Sequence, residues 1–179
     1  MNQEIICSGF GGQGVLTTGL LIAYAGHEKA FNVTWYPSYG AEMRGGTANC
    51  NVKISERYIA SPYCKGVDVL ITMNEPSIEK FEKVVRNDGY MFVNASLVDQ
   101  NKKYRENIHI VKVDATALSE KVGNLKGSNI VMLGAVIKKT KIFDRSFFVD
   151  VMCQYFESQG KGRFNLKNIE AFEAGYGAL

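Results

Sequence analysis

Histidine is scarce in this 179-residue chain: there are two, His27 and His109. A nucleophile needs an adjacent base, and neither histidine neighbours a serine or cysteine in the sequence. His27 closes an expected helix and reads as a surface residue favoured by the helix dipole. His109 reads as a strand residue facing solvent. No Gly-x-Ser-x-Gly sequence and no metal-spaced carboxylate cluster is present. The four cysteines, at 7, 50, 64 and 153, form no Cys-x-x-Cys pair, so neither a zinc site nor an iron–sulfur cluster is indicated. With no signal-peptide pattern, reduced thiols in a cytoplasm are their simplest account. Cys7 and Cys153 stand in apolar surroundings and are expected in the core. No apolar run approaches the roughly 20 residues of a membrane span. A net charge of +3 is too small to argue for nucleic acid or a membrane surface as partner. Lys138, Lys139 and Lys141 read as the solvated end of a helix.

What is present is an ordinary globular composition, 46% hydrophobic and 22% charged, with a length suited to a single domain over 1–179. The chain is organised around Gly9-Phe10-Gly11-Gly12-Gln13-Gly14. Ile5-Ile6-Cys7 precedes it and the apolar run from Val15 to Ala23 follows, so strand, glycine turn, helix is the natural reading. Glycines allow a sharp turn and positive φ, and a helix start aims free N–H groups and a positive dipole end at that turn. A phosphate or other anion fits there. The plainer alternative is a tight turn with no ligand, because Gly-x-Gly-x-x-Gly alone is weak evidence.

The remaining pattern alternates strands and helices. Strands are expected at 3–8, at Val33–Tyr36 (ended by Pro37), at 47–54, 67–72, 90–93 and 108–113. Ser55-Glu56-Arg57 reads as a turn into Tyr58-Ile59-Ala60, which would make an antiparallel hairpin over 47–60. Helices are expected at 15–27, from Asn74-Glu75-Pro76 onward with Ile78, Phe81, Val84 and Val85 as its stripe, at 115–122, from a Ser128 cap, from an Asp144 cap, and from Asn165. Asn87-Asp88-Gly89 reads as a turn. The expected fold is an open three-layer α/β/α arrangement: a mostly parallel, Rossmann-like sheet with helices on both faces and an added β-hairpin. Loops 9–14, 37–46, 73–77 and 94–96 then share the rim where such sheets bind ligands.

A dinucleotide fold wants an acid at the end of its second strand, for the ribose hydroxyls. Here that strand ends Trp35-Tyr36-Pro37, Glu28 comes too early, and Glu42 and Arg44 lie deep in the next loop. An NAD(P)-binding oxidoreductase is therefore the runner-up. The chain offers groups that hold an anion and none that performs chemistry, as a subunit of a larger enzyme would.

Three stretches together carry a resemblance: Gly9-Phe10-Gly11-Gly12-Gln13-Gly14-Val15; Tyr39-Gly40-Ala41-Glu42-Met43-Arg44-Gly45-Gly46-Thr47-Ala48; and Asn129-Ile130-Val131-Met132-Leu133-Gly134-Ala135. Nearly the whole chain resembles the gamma subunit, or gamma domain, of the 2-oxoacid:ferredoxin oxidoreductases. The resemblance implies a non-autonomous cytoplasmic subunit in the coenzyme A-dependent oxidative decarboxylation of a 2-oxoacid, with 2-oxoglutarate favoured and pyruvate, ketoisovalerate and indolepyruvate as the other family substrates. It implies alpha, beta and ferredoxin-like delta partners, with ferredoxin or flavodoxin as electron acceptor. Thiamine diphosphate, magnesium and the iron–sulfur clusters belong to those partners, and this chain helps to enclose coenzyme A without binding a cofactor tightly. The candidate ligand-binding residues are Gly9, Gly11, Gly12, Gln13, Gly14, Tyr39, Glu42, Arg44 and Gly45; no catalytic residue or metal ligand is assigned. Arg44 suits a phosphate or a partner carboxylate, and an intersubunit salt bridge of Arg44 and Glu42 is an equal alternative. For Tyr39 packing on a neighbour is the plainer role. A non-catalytic scaffold, whose glycine turn only packs against a partner, is the third reading.

Overall fold

Strand β1 (Asn2–Phe10) is hydrogen-bonded along both edges, antiparallel to β3 (Thr47–Ser55) and parallel to β4 (Val67–Thr72). The computed structural model describes residues 1–39 and 47–179. Helix α1 (Val15–Glu28) follows β1, and β2 (Asn32–Tyr39) leads toward β3. After β4 come α2 (Glu75–Phe81), β5 (Val85–Asn94), β6 (His109–Val113), α3 (Ala115–Lys121), α4 (Ser128–Thr140), α5 (Arg145–Ser158) and α6 (Asn165–Tyr176). Among the described residues the sheet has six strands, in the order β2-β3-β1-β4-β5-β6. The β1-β4-β5-β6 half is parallel and β3 is antiparallel to both its neighbours. This is the expected α/β architecture.

Side chains alternate across a strand, and the sheet divides the apolar residues into two cores. Ile5 and Cys7 face a layer built from α1, α3, α4, α5 and α6. Ile6, Leu70, Met91 and Val93 face the other way, where Ile78 of α2 and the segments carrying Cys64, Val98 and Tyr104 cover them. Helices thus lie on both faces, but unequally. Burying each such side chain is worth about 1.5–3 kcal/mol before chain entropy is counted, so the thicker layer carries most of the stabilisation. Within it α4 is buried from Asn129 to Ile137. It crosses α6 at two glycines: a Cβ at Gly134 would lie 2.0 Å from the Phe172 carbonyl, and one at Gly175 would lie 1.8 Å from the Val131 carbonyl. Backbone meets backbone there, and no larger residue fits. Among the described residues no helix is long and apolar enough to cross a membrane.

Several local expectations need correction. Pro37 does not end its strand, which runs on to Tyr39; β2 is an edge strand, where a missing N–H costs no ladder bond. Residues 58–60 form no strand, because β1 and β2 already occupy both edges of β3. The antiparallel hairpin is β2–β3 instead. The apolar stripe Ile78, Phe81, Val84, Val85 does share one core, but the helix stops at Phe81 and a 3₁₀ turn, Glu82–Val84, leads straight into β5. Asn87-Asp88-Gly89 lies inside β5 as an irregularity, with Asp88 at φ 62°. Ser128 is the first residue of α4 and makes no capping bond; Gly127 precedes it, and its carbonyl takes the Ile130 and Val131 amides at 2.9 Å each. Asp144 does precede α5, but its side chain makes no capping bond. Cys7 is in the core, whereas Cys153 is only half-buried.

Candidate functional site

The turn between β1 and α1 is held by the side chain of Gln13. Its Oε1 accepts from the Phe10 amide at 2.6 Å and from Asn74 Nδ2 at 3.2 Å, and its Nε2 donates to the Met73 carbonyl at 3.1 Å. The Gln13 amide also closes onto the Phe10 carbonyl at 3.1 Å. Gln13 therefore fastens the bend after β1 to the segment after β4. Asn74 also caps α2, its Oδ1 accepting from Ser77 N at 3.0 Å. Gly9 is small for a packing reason, since a Cβ there would lie 2.7 Å from Gln13 Oε1 and 2.9 Å from Met73 Cβ.

The tip of the bend is open. Gly12 has φ 95° and nothing within 4 Å of where its Cβ would be, and both Gly11 and Gly12 are exposed. Among the described residues their amides have no hydrogen-bond acceptor. Gly14 forms the start of α1 at φ 71°, with no side-chain cap and no acidic residue in the first turn. Its carbonyl is saturated: Thr18 N reaches it at 2.9 Å, Thr18 Oγ1 at 3.1 Å and Asn129 Nδ2 at 3.2 Å. The conformation that left-handed glycines permit is thus used to present amides at the rim with the carbonyl turned inward. Tyr39 reaches the same rim, since Tyr39, Ala48 and Gly9 are in register across three strands. Its side chain is 72% exposed. Glu42, Arg44 and Gly45 lie outside the described residues. Beside the bend, past Gly14 and Thr17, opens a cleft of about 650 Å³ whose far wall comes from the segments before α4 and α6.

Among the described residues, reactive groups are not assembled around this rim. Cys7 and Cys50 are register partners, both completely buried. A hydrogen bond with Cys50, and then burial, push the Cys7 thiol well above the ordinary range. Cys50 is shifted down by that same hydrogen bond, but no substrate can reach it. Burial, followed by the nearby Glu4 carboxylate, pushes Cys64 up to about 12; burial raises Cys153 too. His109 packs its ring 5.1 Å from that of Tyr90 on an exposed edge. Among the described residues no three His, Cys, Asp or Glu side chains are placed to hold a metal ion. β2 contains no Asp or Glu, so the dinucleotide reading gains no ribose acceptor.

Sequence reasoning misses the anchoring roles of Asn74 and Asn129. Asn74 is visible as a helix start and Asn129 as the first residue of the third motif, yet their bonds to the bend span 61 and 115 positions.

The fold is thus an α/β sheet with an open glycine bend at its rim. The profile described as pyruvate ferredoxin/flavodoxin oxidoreductase matches residues 4–178, and the chain belongs to that family. Within it, the chain corresponds to the gamma subunit of 2-oxoacid:ferredoxin oxidoreductases. It is 35% identical over 170 residues to the ketoisovalerate oxidoreductase subunit VorA of Methanothermobacter marburgensis, covering 94% of this chain but 34% of that one. It therefore spans about a third of that relative's length. It is 30% identical over 181 residues to the 2-oxoglutarate synthase subunit KorC of Methanocaldococcus jannaschii, covering 98% of this chain and 93% of that one. The fold matches a keto/oxoacid ferredoxin oxidoreductase gamma subunit from Geobacter sulfurreducens with a TM-score of 0.85 at 24% identity, over 99% and 96% of the two chains. It matches equally, at 0.85 and 22% identity over 99% of this chain and 31% of the other, a 2-oxoglutarate:ferredoxin oxidoreductase from Magnetococcus marinus with 2-oxoglutarate, coenzyme A and succinyl-CoA bound.

Proposed function

We propose that this chain serves a complex that oxidatively decarboxylates a 2-oxoacid with coenzyme A, and that its own share is to hold the phosphates of coenzyme A on the free Gly11 and Gly12 amides of the 9–14 bend. The observation that carries the reading is the open, uncapped bend at the start of α1, with Gly12 facing empty space. Free amides and a helix dipole stabilise a phosphate dianion. Gln13 holds those amides in place before the ligand arrives, which lowers the ordering cost of binding. The chain moves no proton and donates no electron in this scheme. Thiamine diphosphate, magnesium and iron–sulfur clusters supply that chemistry on alpha, beta and ferredoxin-like delta partners, with ferredoxin or flavodoxin as acceptor. The four free cysteines fit a reducing cytoplasm.

For the oxoacid, the end-to-end alignment with the 2-oxoglutarate synthase subunit favours 2-oxoglutarate. The higher identity to the ketoisovalerate subunit favours a branched-chain oxoacid as the second reading. Steady-state rates of the purified complex on both substrates decide between them.

Gly12→Val in the complex tests the bend. A bulky side chain at φ 95° closes the tip, so the apparent KM for coenzyme A rises with assembly retained. Loss of assembly with an unchanged KM in whatever complex remains supports the scaffold instead. Titration calorimetry of the chain with NADH is expected to give no heat; micromolar binding revives the dinucleotide reading.

A further inference from the structure

Cys7 and Cys50 stand directly opposite each other on β1 and β3. Opposite residues of an antiparallel pair send their side chains to the same face, and both thiols are enclosed in the thicker core. The Cα atoms of such partners are about 5.5 Å apart in a hydrogen-bonded pair and about 4.5 Å apart in a non-hydrogen-bonded one. Both values fall within the roughly 4.4–6.8 Å that a disulfide spans. The other two thiols stand elsewhere. Cys64 packs in the opposite core, its Sγ 3.7 Å from the Ile5 carbonyl and 3.8 Å from the Val52 carbonyl, with the sheet between it and the pair. Cys153 is half-buried on α5.

The surroundings make the two sulfurs of the pair unequal. Helix α1 rests on Cys50, whose thiol donates to the Val15 carbonyl at 3.5 Å. A Cβ at Gly19 would meet Cys50 Sγ at 2.3 Å and Trp35 Nε1 at 3.3 Å, so the sulfur and the indole N–H are neighbours under the helix. That N–H is buried and has no hydrogen-bond partner among the described residues; a thiolate at Cys50 gives it an acceptor. A hydrogen bond from Cys7, opposed by burial and aided by Trp35, draws Cys50 below the ordinary thiol range, while Cys7 is held well above it. One thiol is the readier nucleophile and the other keeps its proton.

We propose that Cys7 and Cys50 are a reversible dithiol–disulfide pair oxidised by peroxide, with Cys50 attacking and Cys7 resolving. The Cys50 thiolate attacks a peroxide oxygen: an S–O bond forms, the O–O bond breaks, and the departing hydroxide takes up the proton Cys50 released and leaves as water. The Cys7 sulfur then attacks the sulfenic sulfur: the S–S bond forms, the S–O bond breaks, and hydroxide leaves with the Cys7 proton as a second water. The two thiols give up two electrons, and one hydrogen peroxide becomes two waters. Because the pair is enclosed, the reaction waits on local opening of α1, whose first turn has no side-chain cap. A thiol or dithiol reductant returns the pair to its resting state. The chemistry is independent of what the glycine bend binds, although the disulfide withdraws the S–H that Val15 accepts at the foot of the same helix.

The test uses the full chain carrying Cys64→Ala/Cys153→Ala, which leaves the pair as its only thiols. After hydrogen peroxide at neutral pH and removal of the excess with catalase, thiols are counted in denaturant. The count is expected to fall from two per chain to none, the mass to fall by two hydrogen atoms, and dithiothreitol to restore both. Proteolysis of the unsubstituted chain after the same treatment should yield a fragment joining the Cys7 and Cys50 peptides, which keeps the test valid should the double variant fold poorly. For the roles, Cys7→Ala in the same background should leave a sulfenic acid on Cys50 that dimedone labels on unfolding, whereas Cys50→Ala should leave Cys7 unlabelled. Thiols that persist, thiols lost by gain of oxygen on each sulfur, or links only between chains overturn the proposal; labelling of Cys7 in place of Cys50 overturns the assignment of the attacking thiol. None of these readings involves coenzyme A, so failure of the bend reading and failure of this one are told apart.

Discussion

Asn129 Nδ2 donates to the Gly14 carbonyl at 3.2 Å, joining the first turn of α4 to a turn 115 positions earlier. The same carboxamide fills the space a side chain at position 14 would need: a Cβ there would lie 2.6 Å from Nδ2. One asparagine thus supports the bend and forbids its enlargement. Gly14→Ala meets both this clash and a φ of 71°, and is expected to cost more than about 2 kcal/mol. Asn129→Ala alone should cost about 1 kcal/mol, because Thr18 still satisfies the carbonyl. The double variant should be more stable than the sum of the two losses, since the clash is gone. Urea unfolding of the four proteins measures the coupling.

The glycine crossing of α4 and α6 allows a sharper expectation. Gly134→Ala and Gly175→Ala each drive a methyl group into a carbonyl of the facing helix, at 2.0 Å and 1.8 Å. Neither helix can shift without disturbing the thick core. Each variant is expected to lose at least about 3 kcal/mol, at or beyond the upper end of ordinary overpacking. A thermal melt compared with the parent, or failure to obtain folded protein, reads this out. Gly160→Ala is the control, because its surroundings are empty and only its φ of 67° resists.

Cys64 gives the chain a pH-dependent limb. Burial and the Glu4 carboxylate push its pKa up to about 12, against about 8.5 in an unfolded chain. A group raised on folding stabilises the native state fully below its unfolded value and loses that contribution as pH climbs through the interval toward 12. Stability should therefore decline from about pH 8.5 upward, and Cys64→Ala should flatten that decline. Urea midpoints at intervals from neutral pH to pH 10 give the comparison. The same burial should make Cys64 slow to react with a thiol reagent in the native protein at neutral pH.

Gln13→Ala breaks the tie between the two rim segments while leaving both strands paired. It removes the bonds to Phe10, Met73 and Asn74, and should cost about 1–2 kcal/mol. In the assembled complex the apparent KM for coenzyme A should rise with little change in kcat, since a looser bend weakens binding without touching a reacting group.

The parts legible in the sequence are those with local causes. Alternation of apolar residues locates β3, short apolar runs locate β1 and β4, and the glycine turn locates the start of α1. The misreadings come from long-range facts. Pro37 looks like a strand end until β2 proves to be an edge. Tyr58-Ile59-Ala60 looks like a returning strand until both edges of β3 prove to be taken. The bend itself is visible in the glycine spacing, but the residues that hold it are not, because Asn74 and Asn129 reach it only through the folded topology. Cys7 and Cys50 carry no motif at all; they become a pair when β1 and β3 fall into register.

The crossing at Gly134 and Gly175 places main chain against main chain, and the helices that cross there also carry Asn129 and Asn168 in their opening turns. The main chain of that wall is held by the crossing, so the width of the recess is left to the side chains that line its mouth, Leu125 and Phe164 among them.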